Sequence, residues 1–363
     1  MYYNPVEVIE ADSWEEKYLT FKKILKIKNP IILTTKGNLE RNNLKSIFNS
    51  KSIYSKINPD PTFESCQAAI NYSNKSKFDS VVAFGGGSVM DTAKAVKASI
   101  ATGNNELIKL FYIDEPYYNN IPSIFIPTTH GTGSEVTKWG TIWNITERKK
   151  YSISHNDLYP TVAILDGSLT LSLSIENSII TILDALSHGF ESIWNKNANP
   201  TSTSLAIKSL SYLLSNSYKI KKDPLNLNLR KGLLKASSIA GLAFSNTKTA
   251  AAHSISYPLT LNYGIPHGIA SSISLIPLLE INRAAISQSL NIISKRTKLS
   301  ITEIKDQIKS LSKDLISFNL KNWGVRKRDL TDLVKQSFTK GRMDNNIIDL
   351  DESDVFEILK IIY

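Results

Sequence analysis

Asp184 and His188 stand four residues apart in DALSH, and His253 and His267 follow in HSISYPLTLNYGIPH. The apolar spacing of SIENSIITILDALSHGFESIW is helical, so the aspartate and the first histidine project from one face, one turn apart. One carboxylate and three imidazoles make a donor set for a divalent first-row cation, Fe(II) or Zn(II), with a coordination position left for a substrate oxygen. A lone histidine on an apolar helix is ordinarily a hydrogen-bonded core residue. Here three of the chain's five histidines share a pattern with an aspartate, and only His130 and His155 fall outside it. A metal site is the expectation.

A second group of residues has the chemistry of an anion cradle. In VVAFGGGSVMDTAKAV a β-rich run meets Gly85, Gly86 and Gly87, and a helical stretch begins at Ser88 and includes Asp91. Glycines let a pyrophosphate approach the backbone, and the N–H groups of a helix start favour the anion. Alone this is a weak signal, because the triplet is not the usual G-x-G-x-x-G and a turn with a helix cap has the same look. A third segment, IPTTHGTGSEVTKW, offers the hydroxyls of Thr128, Thr129, Thr132 and Ser134 and the close backbone approach of Gly131 and Gly133. At the end of the first apolar run, Thr35 and Lys36 stand where an acidic residue would repel a 2′-phosphate, so NADPH is tolerated alongside NADH.

The elements that must position these groups change character near Asp166. Before it, β-rich runs at residues 31–35, 80–84, 123–126 and 162–165 alternate with helical segments, the pattern of a parallel, Rossmann-like α/β sheet. After it the apolar spacing is helical, over residues 175–194, 202–215, 226–244 and 301–322. The expectation is an α/β dinucleotide-binding domain over residues 1–167 and an all-α metal-binding domain over 168–363, hinged at LDGSLTLSLS with the chemistry in the cleft between them.

At 363 residues and 42% hydrophobic content the chain can fill two cores. Its one cysteine, Cys66, excludes an intramolecular disulfide. The N-terminal text lacks a basic start and apolar run, and no stretch of about 20 apolar residues is present, so a cytoplasmic protein away from membranes is expected. The net charge of +10 is spread rather than gathered into a tract, which argues for anionic small molecules over nucleic acid. A homo-oligomer, a dimer, is expected.

Taken in order, GGGSVMD, PTTHGTGSE, DALSH and HSISYPLTLNYGIPHG resemble the iron-containing (group III) alcohol dehydrogenase family over nearly the whole chain. The resemblance implies NAD(P) on the glycine triplet and the TTxGTGSE loop, and iron or zinc on Asp184, His188, His253 and His267. It also implies a cofactor contact for Lys150 and pocket positions for Trp139 and Phe244. Within the family, IWNITERKKYSI, DALSHGFESIWNKNANP and TKTAAAHSISYPLTLNYGIPHG look most like phosphonoacetaldehyde reductases, which form 2-hydroxyethylphosphonate.

Two departures from the family pattern bear on chemistry. Tyr257 occupies the place of a second histidine four residues after the third metal ligand; a phenol is a poor base near neutrality, so it is expected to orient substrate. Lys248 replaces a small or polar residue, and its ammonium suits a phosphonate. The resulting expectation is a metal- and NAD(P)H-dependent reductase of a small anionic aldehyde. Its rivals are a generic alcohol dehydrogenase, a dehydroquinate-synthase-like cyclase or lyase, against which Asp184 and the GTGSE loop argue, and a metal-binding module without catalysis.

Overall fold

Strands buried on both faces of a parallel sheet need near-continuous apolar runs, and four segments have them. They are Pro30–Thr34, Ser80–Gly85, Ser123–Pro127 and Val162–Asp166, each buried at every position in the computed structural model, which describes residues 1–147 and 149–363. With the edge strands Glu7–Ala11 and Ile53–Tyr54 they form a six-stranded sheet. The strands are β1 (Glu7–Ala11), β2 (Pro30–Thr34), β3 (Ile53–Tyr54), β4 (Ser80–Gly85), β5 (Ser123–Pro127), β6 (Trp139–Asn144), β7 (Lys149–Ser154) and β8 (Val162–Asp166). The sheet order is β1-β8-β5-β4-β2-β3 and every pair is parallel. β6 and β7 form a separate antiparallel hairpin that pairs Trp143 with Lys150.

The helix Gly87–Thr102 leaves β4 and packs Val89, Met90, Ala93 and Val96 into the core. The same helix buries two lysines. Lys94 Nζ bonds the Ser134 carbonyl and hydroxyl, the Thr137 hydroxyl and the Trp139 carbonyl at 2.7–2.9 Å. Lys97 Nζ has the Tyr159 carbonyl at 3.0 Å, and burial lowers the pKa of each ammonium to about 8.

Contacts divide the chain into two compact units: residues Asn4–Thr129 with Ser134–Thr170, and Met1–Tyr3 with His130–Gly133 and Leu171–Tyr363. The division is not sequential, since His130–Gly133 groups with the helices. His130 is fully buried there, its Nδ1 3.0 Å from Thr181 Oγ1 and its Nε2 3.2 Å from Arg230 Nη1. A guanidinium only donates, so Nε2 accepts and Nδ1 carries the proton. Burial and the Arg230 charge agree, lowering the pKa of the imidazole to about 3. Arg230 also bonds Ser178 Oγ and the carbonyls of Pro224 and Leu173.

The helical unit is built around Ile175–Ile193, capped by the Ser174 side chain, with Pro200–Asn216 and Leu227–Thr247 packed beside it. Pro200 opens its helix behind an Asn199 capping box, as proline at the first turn can. One expectation fails: residues 301–322 are not one helix. Ile301–Ser312 ends the α-helix, Asp314 takes a φ of +66°, and only a short 3-10 turn, Leu320–Trp323, follows. Among the described residues no single helix is long and apolar enough to cross a membrane.

Candidate active site

Asp184 and His188 leave the buried face of Ile175–Ile193 one turn apart, His253 stands in Ala251–Tyr263, and His267 opens the short helix His267–Ala270. Asp184 Oδ1 lies 3.6 Å from His253 Nε2 and 3.8 Å from His267 Nε2, and its Oδ2 lies 3.9 Å from His188 Nδ1. These separations are too long for hydrogen bonds. They are close to the roughly 3.4 Å that separates two donors bound at about 2.1 Å to one tetrahedral ion. His188 Nδ1 and His253 Nε2 are buried with no hydrogen-bond partner among the described residues. Such unsatisfied nitrogens facing a carboxylate fit a cation.

Electrostatics agree. Burial would raise the Asp184 pKa, but His188, His253 and His267 hold it well below the usual carboxylate range. Burial takes His188 down to about 4, so it is a neutral ligand near pH 7. Burial would also lower His253, yet Glu191 and Asp184 outweigh it and raise the imidazole to about 10. Two buried carboxylates thus stabilise positive charge at His253, which a proton or a metal ion supplies.

Around the four side chains stand residues that the sequence reading missed. Glu191 accepts the amides of Ala250 and His253 at 3.0 Å and a short hydrogen bond from His253 Nδ1, leaving Nε2 to face Asp184. Ser271 Oγ donates to Asp184 Oδ1 at 3.0 Å. The His188 ring stacks on Phe244 at 4.1 Å between centroids. Helical spacing carried the signal, for Glu191 is three residues after His188 and Ser271 four after His267.

Phe244 is therefore buried against a candidate ligand. Lys248 lies exposed on the link to the His253 helix, with φ +63° and ψ 179°. That backbone region is essentially glycine's. The link is pinned on both sides: Asn197, Asn195 and Asn345 donate to the carbonyls of Thr247, Lys248 and Thr249, and Glu191 holds the Ala250 amide. Tyr257, one turn beyond His253, is buried, and its hydroxyl oxygen accepts from Arg342 Nε at 3.2 Å.

In the sheet unit, Gly85 ends β4 and Gly86 caps the helix that begins at Gly87. A Cβ at Gly86 would meet Thr129 at 3.0 Å and one at Gly85 would meet Val89 at 2.5 Å, so Thr129 stands close over Gly86. Thr128 Oγ1 accepts from Asn38 at 3.3 Å. Other expected cofactor residues bond to protein. Ser88 Oγ accepts the Asp60 amide, and Thr35 caps Lys36–Arg41 by accepting from Asn38, with Lys36 exposed. Asp91 accepts from Ser134 Oγ at 2.8 Å and from the Thr141 amide at 3.0 Å, beside Lys94. Asp91 and Ser134 thus brace the loop against the hairpin. Lys150 Nζ lies over the Trp143 ring at 5.7 Å, and Trp139 is half-buried on β6.

The loop glycines also make close approaches to the protein itself. A Cβ on Gly131 would meet Thr181 at 2.8 Å, and one on Gly133 would meet Gly241 Cα at 2.5 Å. Their close approach is to two helices. Thr132, between them, belongs to the helical unit.

Residues 8–167 match the iron-containing alcohol dehydrogenase family, and residues 178–363 match the Fe-containing alcohol dehydrogenase family C-terminal domain. Sulfoacetaldehyde reductase of Bilophila wadsworthia is 29% identical over 316 residues, 81% of this chain and 79% of that protein. Phosphonoacetaldehyde reductase of Streptomyces viridochromogenes is 32% identical over 213 residues, 57% of this chain and 54% of that one. The crystal structure of sulfoacetaldehyde reductase from Bifidobacterium kashiwanohense in complex with NAD+ superposes with a TM-score of 0.90 at 25% identity, covering 100% of this chain and 98% of that one. The cyclase and non-catalytic readings fall away: the chain is an oxidoreductase that belongs to the iron-containing alcohol dehydrogenase family.

Proposed function

We propose that the chain reduces a small anionic aldehyde, phosphonoacetaldehyde, to 2-hydroxyethylphosphonate with hydride from NADPH or NADH. The observation that carries the anionic substrate is Lys248. A lysine held in backbone space that suits glycine costs about 1–3 kcal/mol, a strain that functional positions retain. Its ammonium is exposed five residues before His253, and three asparagines fix the segment that bears it. The relatives named for sulfoacetaldehyde and phosphonoacetaldehyde support the class, both being two-carbon aldehydes with a tetrahedral anionic head.

Asp184, His188, His253 and His267 are the residues that would hold Fe(II) or Zn(II), which when bound supplies a Lewis acid for an aldehyde oxygen. Glu191 keeps the proton of His253 on Nδ1 and so keeps Nε2 a donor atom. Ser271 fixes the Asp184 carboxylate, and Phe244 covers the His188 ring and keeps water from that side. His267 is the most open of the four, with 28% of its side chain exposed, so the approach to the site is on its side. Tyr257 is assigned to orient substrate, Trp139 and Phe244 to line the pocket, and the Gly85–Gly87 turn with Thr129 to receive the cofactor pyrophosphate.

Lys248→Gly separates the roles. Glycine relieves the backbone, so thermal unfolding is expected a few degrees higher, by about 1 kcal/mol. The ratio of kcat/KM for phosphonoacetaldehyde to that for acetaldehyde is expected to fall about tenfold, the loss of one charge-assisted bond. An unchanged ratio contradicts the assignment of Lys248.

A further inference from the structure

Arg342 lies in none of the sequence motifs, yet it is bonded to Tyr257, which stands one turn after His253. Its Nε donates to Tyr257 Oη at 3.2 Å and its Nη1 to the Gly341 carbonyl at 2.7 Å. Among the described residues no carboxylate pairs with it and Nη2 has no acceptor. A half-buried guanidinium left without a counter-charge is an anion receptor by chemistry, and its planar edge matches two oxygens of a tetrahedral head group.

The turn that bears it is tied to the rest of the site. Asn345 Nδ2 donates at once to the Gly341 carbonyl, 2.8 Å, and to the Thr249 carbonyl, 2.9 Å. One amide thus fixes the residue before Arg342 and the residue after Lys248. Ser254 accepts the Thr339 amide and donates to the Ser337 carbonyl, which secures the same turn to the helix of His253. Among the described residues, two cations without a counter-charge are therefore held on segments that Asn345 ties together, and one of them bonds Tyr257.

We propose that Arg342 is a specificity-determining residue that binds the phosphonate or sulfonate head of the substrate, with Lys248 as its second cation. The inference rests on the anionic-aldehyde reading and adds the residue that grips the anion. The planar guanidinium supplies direction and the ammonium adds charge. Head-group contact is the same in ground and transition states, so its loss falls on KM more than on kcat.

The test uses metal-loaded full-length protein and the variants Arg342→Met, Arg342→Lys and Tyr257→Phe. Steady-state rates are measured with phosphonoacetaldehyde, sulfoacetaldehyde and acetaldehyde, and binding of ethylphosphonate by calorimetry. Arg342→Met is expected to lower the charged-to-neutral kcat/KM ratio by about tenfold or more, mostly through KM, and to weaken ethylphosphonate by a similar factor. Arg342→Lys recovers part of both, and Tyr257→Phe, which frees Arg342 Nε, is expected to lower the ratio less than Arg342→Met does. A wild-type ratio in Arg342→Met, or equal losses on charged and neutral aldehydes, overturns the role of Arg342 while the substrate reading stands. A wild-type protein that does not favour charged aldehydes overturns both.

Discussion

Four side chains were legible as a candidate metal-ligand set because their types are scarce and Asp184 and His188 share a helical spacing; Glu191, three residues after His188, went unread because the imidazole it holds is 62 residues away. That glutamate offers a sharp test at the scale of one residue. In Glu191→Gln the amide nitrogen faces His253 Nδ1 and donates to it, which moves the imidazole proton to Nε2, the atom that faces Asp184. A protonated Nε2 cannot ligate. Metal affinity, followed by dialysis against Zn(II), is expected to fall about 10- to 100-fold with the fold retained. Wild-type affinity in this variant contradicts the orientation assigned to His253. Asp91 and Ser134, expected at the cofactor from their types, are bonded to one another, a pairing that the sequence alone did not show.

Among elements, strand positions were readable wherever both faces are buried, as in β4 and β5, because apolar runs between breakers have few other uses. β1 reads EVIEA and is only partly buried, and the β6–β7 hairpin is cut from mixed polar text, so neither gave that signal. The glycines of GTG were legible as close-approach residues but not as to what approaches, which is decided by helices more than 40 residues further on. At the start of Gly87–Thr102 the space is different, bounded by Thr129. Gly86→Val places carbon there, and the dissociation constant for NADH or NADPH, read by fluorescence, is expected to rise about tenfold or more. Unchanged binding removes the cradle assignment.

The same helix predicts a pH effect. Lys97 is buried with a single acceptor among the described residues, and burial lowers its pKa from 10.5 to about 8. Between those values the unfolded chain binds the extra proton, so this group makes stability rise with pH from about 8 to 10.5. Lys97→Met removes the buried charge and is expected to stabilise by roughly 1–2 kcal/mol at pH 7, an advantage that fades towards pH 10.5. Denaturant unfolding at pH 7 and pH 10 checks it; a Met variant less stable at pH 7 contradicts the account of that lysine.

For the molecule as a whole, a parallel sheet followed by helices was readable from the change of pattern near Asp166, and the two family matches cover both halves. What the pattern hid is that the chain enters the helical unit early, at His130–Gly133, before returning to the sheet. A buried Arg230 and a neutral His130 secure that excursion, and Gly131 from it packs against Thr181. The central claim joins this scaffold to one reaction. Fe(II)-reconstituted and chelator-stripped protein should be assayed for NADPH and NADH oxidation with phosphonoacetaldehyde and acetaldehyde. The account predicts metal-dependent turnover, with kcat/KM for the phosphonate-bearing aldehyde about tenfold or more above the neutral one. Full activity after metal removal, or a preference for the neutral aldehyde, contradicts it.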